Sequence, residues 1–195
     1  MYLTKFHVGM TNRGDCQVRR LFKKASMITL YHGTSMDAFI EICEADALLP
    51  YGETNNDNGA GEDGGGYGGS NTDGVYLTND SGDGYADLAS NDAEIQISVV
   101  IGVTVDTTKL LPDWDNYEPD FEDGAEIETS TYEDSLEQRD QCIYVGAIPA
   151  SQFTTITMWN NGEDEDMAAR YGLTEDNQVV KLSYREAKQI VLSTD

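Results

Sequence analysis

The sequence predicts an α+β fold, on three observations. Ile95, Ile97, Val99, Ile101, Val103 and Val105 alternate with Gln96, Ser98, Val100, Gly102 and Thr104, the period of a strand with one face against a core. Ser35 ahead of an apolar-periodic run and the Ser183-x-x-Glu186 pattern are helix starts. Strand-like and helix-like segments follow one another at irregular intervals, unlike the even alternation of a doubly wound parallel fold. Internal repeats are absent, and 195 residues are enough for one core but too few for two ordinary domains.

Charge and cysteine usage narrow the function classes. Thirty-six acidic against twelve basic residues give a formal charge of −24, which opposes general binding to a nucleic-acid backbone. Cys16, Cys43 and Cys142 are odd in number and widely spaced, so neither a disulfide framework nor a metal cluster is expected, and a reducing cytoplasm is inferred. No apolar run has the length of a signal h-region or a membrane span.

Lys5, Arg13, Arg19, Arg20, Lys23 and Lys24 are half of all the basic residues and fall in the first 26 positions, where Asp15 is the only acid. That segment reads as a solvated, dispensable extension, with a single domain over 27–195. The domain opens on a strand over 27–32 that ends at Leu30-Tyr31-His32-Gly33-Thr34-Ser35. Here a histidine stands beside a glycine that lets a ligand approach bare backbone.

Ser35 predicts a helix to about residue 47 with Phe39, Ile42, Cys43 and Ala47 on one face, ended by Pro50. Residues 51–74 are rich in Gly, Asn and Asp and read as a mobile loop insertion. The loop lacks the lysine and following helix of a P-loop and the ligand register of an EF-hand. Residues 74–78 read as a strand and 85–89 as a short helix with Tyr85, Leu88 and Ala89 on one side. Beyond the 95–105 strand lies an irregular acidic stretch in which Trp114 and Tyr117 tuck onto the body. Residues 129–139 fit either a helix or a loop. Two strands, 142–145 and 153–158, are joined through 147–149, residues 162–166 read as a solvated turn, and a final helix spans 183–192.

Cleaving a glycosidic bond to nicotinamide passes through an oxocarbenium-like state. A site needs a flat surface for the leaving ring, a clamp on the ribose and a polar group that steadies developing charge. His32, Tyr76 and Tyr85 can supply the first two.

Tyr31-His32-Gly33-Thr34, then Gly74-Val75-Tyr76-Leu77, then Tyr85 resemble, in that order, the ADP-ribosyltransferase superfamily in its His-Tyr-Glu branch, which includes the PARP-like and diphtheria-toxin-like enzymes. The resemblance spans about residues 27–158 and implies a split β-sheet core, NAD as co-substrate and a protein or nucleic-acid acceptor. It further implies that His32 and Thr34 bind the cofactor and that Gly33 holds the nicotinamide amide through its backbone. Tyr76 and Tyr85 would sandwich the ring, and Ser81 would offer the amide a hydroxyl.

The family's third, acidic residue opens a late strand, where this chain has Gln141 with Asp140 one position earlier. Asp140 would offer the ribose a carboxylate, and Gln141 only neutral hydrogen bonds. Both stay open at this point. The first functional reading is therefore an NAD-dependent ADP-ribosyltransferase of the effector, toxin or phage-encoded kind, acting in a cytoplasm. A relative that uses NAD to remove an RNA phosphate would need several arginines around the phosphate, which the chain lacks. The reading from another class is an acidic, non-catalytic inhibitor that mimics nucleic acid and keeps a degenerate NAD pocket.

Overall fold

The computed structural model describes residues 8–10, 16–18, 25–54, 73–91, 93–113, 131–162, 165–173 and 178–193. The expectations for most of the 51–74 loop and for Trp114 and Tyr117 lie outside those residues. The fold is α+β around a seven-stranded antiparallel sheet. Its strands are β3 (Met27–Ser35), β5 (Gly74–Thr78), β6 (Ile97–Asp106), β7 (Leu110–Pro112), β8 (Gln141–Val145), β10 (Phe153–Asn160) and β11 (Val179–Leu182), in the order β11-β10-β6-β3-β5-β8-β7. Two small two-stranded pairs are separate from it: β1 (Val8–Met10) with β2 (Cys16–Val18), within the first 26 residues, and β4 (Ala47–Leu48) with β9 (Ile148–Pro149).

The alternating stretch becomes β6, between β3 and β10. The sequence led us to expect one solvated face, but Ile97 through Val103 are buried without a break. The odd positions join the core with Leu30, Phe39, Ile156 and Val191, beneath helices α1 (Met36–Ala45) and α5 (Tyr184–Leu192). Of the even positions, Ser98 meets α2 (Asp83–Asn91), Val100 lies against Gly82 just before that helix, and Gly102 faces Thr154, Thr155 and Tyr31. Helices therefore protect both faces of the central strands, and emptying the α1 side by Phe39→Ala would cost about 3–5 kcal/mol.

Ser35 caps α1 as its position suggests, accepting from the Ala38 N–H at 3.4 Å. The helix ends sooner than expected, because Asp46 takes a left-handed turn at φ 53° and diverts Ala47 into β4 before Pro50 is reached. In α2 the buried residues are Ala86 and Ser90, while Tyr85 and Leu88 are 41% and 63% exposed. The side that carries Tyr85, Leu88 and Ala89 is thus the exposed one.

The undecided stretch holds α3 (Tyr132–Arg139), opened by a capping box between Thr131 and Asp134. Of the expected turn over 162–166, Glu165 and Asp166 open α4 (Glu165–Arg170) and 163–164 lie outside the described residues; the Ser183–Glu186 box opens α5. Although joined by a short link, β8 and β10 lie in different parts of the sheet. Among the described residues no helix is long and apolar enough to cross a membrane.

Candidate functional site

Strand β3 meets its two neighbours unequally. Nine consecutive pairs, from Met27↔Asp106 to Ser35↔Ser98, tie it to β6, whereas Tyr31↔Thr78 alone ties it to β5. That single pair is all that joins β11-β10-β6-β3 to β5-β8-β7 within the seven-stranded sheet. His32 does not end β3, which runs on through Ser35. Its ring reaches over the gap, with Nδ1 3.0 Å from the Tyr76 carbonyl oxygen of β5. A side chain thus makes a link where the backbone ladder has stopped.

That bond fixes the chemistry of the ring. A carbonyl only accepts, so Nδ1 carries the proton and Nε2 is left as an acceptor. Burial lowers the His32 pKa from its ordinary 6.5, outweighing the opposite pull of the Tyr76 carbonyl. The ring is neutral near pH 7, and Nε2 suits a hydroxyl donor such as a ribose 2′-OH.

A slot of about 90 Å³ opens beside the single bridging pair. Tyr31, Thr78 and Gln141 form one row across it, since Thr78 pairs with Tyr31 on one side and Gln141 on the other. Tyr76 and Tyr85 also line it. The floor is Gly33, where any Cβ would collide with the Gly82 carbonyl oxygen and the Ala86 nitrogen of α2. No other residue lets that helix lie so close to the strand.

His32, Gly33 and Tyr76 also line a wider cleft of about 450 Å³, within the usual range for a small-molecule site. Thr34, 6% exposed, lies on this side. Ile42, Leu48 and Val75 line it together with the acidic Glu41, Glu44 and Glu53.

The structure separates Asp140 from Gln141. Asp140 caps α3 in the left-handed region at φ 58°. It is exposed, and its carbonyl accepts from the Asn79 N–H at 3.2 Å. Gln141 begins β8, its carbonyl held at 2.6 Å by the Ser135 hydroxyl, and its Nε2 donates to the Tyr85 hydroxyl across the slot. Of the two, Gln141 lines the slot and Asp140 lines neither cavity.

Ser81, expected at the amide, lies away from both cavities. It is exposed in the turn before α2, its N–H donating to Asp80 Oδ1 at 2.7 Å. Thr78, 2% exposed, lines the slot, and its hydroxyl accepts from the Asp80 N–H at 3.1 Å. Thr78 and Tyr31 are the site residues that sequence reasoning missed. Their signal is a pairing between distant strands, which no local spacing displays.

Among the described residues no group of three or more His, Cys, Asp or Glu side chains is arranged to hold a metal ion. No family model, curated protein or solved structure matches the chain.

Proposed function

We propose that the chain is an NAD-consuming ADP-ribosyltransferase whose active cleft is the seam between the two half-sheets. The observation that carries this reading is the His32–Tyr76 link across a seam flanked by Tyr31, Tyr85 and Gln141. In this reading the core is the split sheet of the ADP-ribosyltransferase family. The nicotinamide ring lies in the slot against Tyr76 and Tyr85, with its amide toward the backbone of Gly33. The adenosine half extends along Thr34 into the wider cleft, and Nε2 of neutral His32 accepts from a ribose hydroxyl. Gln141 steadies the reacting ribose by neutral hydrogen bonds, so turnover is slow compared with a site that has a carboxylate there. The acceptor is a protein or a nucleic acid.

Calorimetry with NAD and with free nicotinamide tests the binding, and incubation with labelled NAD in a cell lysate tests the transfer. Heat on binding followed by label on a macromolecule supports the reading. Absence of heat with both ligands overturns it.

Two observations favour the second reading, an acidic binding protein with a degenerate pocket. Gln141 lacks charge, and Glu41, Glu44 and Glu53 border the wider cleft, where they oppose the two phosphates of NAD. Tight, salt-sensitive binding to a basic partner without heat from NAD identifies that case.

A further inference from the structure

The C-terminal half of α2 is fastened by polar groups where a surface helix ordinarily uses apolar ones. Asp87 Oδ1 accepts from the Ser98 hydroxyl of β6 at 2.8 Å and from the Trp159 indole N–H of β10 at 2.9 Å. Ser90 and Ser98, both 0% exposed, share a 2.8 Å hydrogen bond. Asn161 Nδ2 closes the set, donating to Ser90 Oγ at 2.9 Å and to the Asp87 carbonyl at 3.3 Å. None of these five residues lines the slot.

The other half of the same helix carries Tyr85, one wall of the slot, and rests on Gly33 with no room to spare. An apolar interface would let α2 slide by fractions of an ångström. Directional bonds with fixed partners admit one placement.

We infer that Asp87, Ser98 and Trp159 are positioning residues that set the width of the ring slot through α2. The inference rests on the NAD reading for what the slot holds, and adds which distant groups define its shape.

The test is the affinity of the full chain for free nicotinamide, by calorimetry at a temperature where circular dichroism shows every variant folded. Asp87→Ala removes the shared acceptor, and binding falls about tenfold, the affinity equivalent of one lost charge-assisted hydrogen bond. Asp87→Asn keeps an acceptor oxygen for Ser98 and Trp159 and restores binding to within about twofold of the parent. Val191→Ala, a core change in α5 away from α2, lowers the melting temperature and leaves affinity unchanged, which separates positioning from general loosening.

If Asp87→Ala does not fold, Trp159→Phe keeps an aromatic ring and removes one donor, and binding weakens about threefold. Parent-like affinity in Asp87→Ala, or in Trp159→Phe where that variant takes its place, overturns the inference and leaves the NAD reading intact. Equal losses in Asp87→Ala and Asp87→Asn also overturn it. Failure of the parent to bind nicotinamide overturns the inference, and absence of heat with NAD as well overturns the NAD reading.

Discussion

The two edges of β3 are made of the same residues and do opposite work. Toward β6 every residue of the strand has a partner, and the strands beneath α1 and α5 bury Leu30, Val99, Ile101 and Ile156 completely. Toward β5 a single pair holds, and around it stand an imidazole, a glycine without space for a side chain, and Tyr76 and Tyr85. A complete ladder satisfies the backbone and leaves little for a ligand to do. An interrupted one leaves polar groups that a side chain or a bound molecule can meet. In this chain the rigid edge acts as scaffold, and the incomplete edge carries the candidate chemistry.

If that contrast is right, damage at the incomplete edge removes binding at modest structural cost. The largest effect is expected at Gly33. Gly33→Ala drives a methyl group into the Gly82 and Ala86 backbone, displaces α2 and abolishes nicotinamide binding in calorimetry. It lowers stability by about 1–3 kcal/mol in urea unfolding. Gly84, whose added Cβ meets nothing within 4 Å, is the control, and Gly84→Ala stabilises by up to about 1 kcal/mol. Equal binding by the two variants would break the comparison.

Next comes His32→Ala, which removes the link across the seam. NAD turnover is expected to drop about 100-fold, and stability by about 1–3 kcal/mol as the Tyr76 carbonyl loses this partner. Turnover at the parental rate would take His32 out of the site.

At the third position Gln141→Glu is expected to raise NAD turnover about tenfold by adding charge near the ribose, whereas Asp140→Asn stays within about twofold of the parent. Loss of turnover on Asp140→Asn alone would reverse the assignment made from the strand register.

The smallest effect is in the pH dependence of folding. His32 has a folded pKa below its ordinary 6.5, so below that pH the unfolded chain binds a proton that the folded chain refuses. Stability contributed by this group is present above pH 6.5 and declines as pH falls toward the folded pKa. Urea unfolding at pH 7.5 and 5.5 should show the parent losing more than His32→Gln, and identical losses would remove the histidine from the account.

Much of this site was legible because its parts are local signals. A Tyr-His-Gly-Thr run and a Gly-Val-Tyr-Leu run declare a strand and its unusual residues without reference to the rest of the chain. The hidden parts depend on partners far away in sequence. Thr78 and Tyr31 become site residues through a pairing across 47 positions. Ser98 reads as a solvated position of an alternating strand until α2 is found lying on it. For the same reason the buried side of α2 was hidden: Ala86 and Ser90 are small and suit Gly33 and Ser98, while Leu88 is exposed and Tyr85 lines the slot. The left-handed turns at Asp46 and Asp140 ended or redirected elements where propensity alone gave no stop.

The strand order also bears on how the molecule is assembled. Residues that meet in β3 and β6 stand 63 to 79 positions apart, and β5 joins β8 only after a comparable stretch has been made. Long loops must close before these contacts offer any return, so folding belongs to the slow, non-local regime of milliseconds to seconds. The densely paired centre can form as soon as β3 and β6 meet. The seam has one backbone pair to draw its sides together and falls into place afterwards, which makes the candidate site a late product of folding.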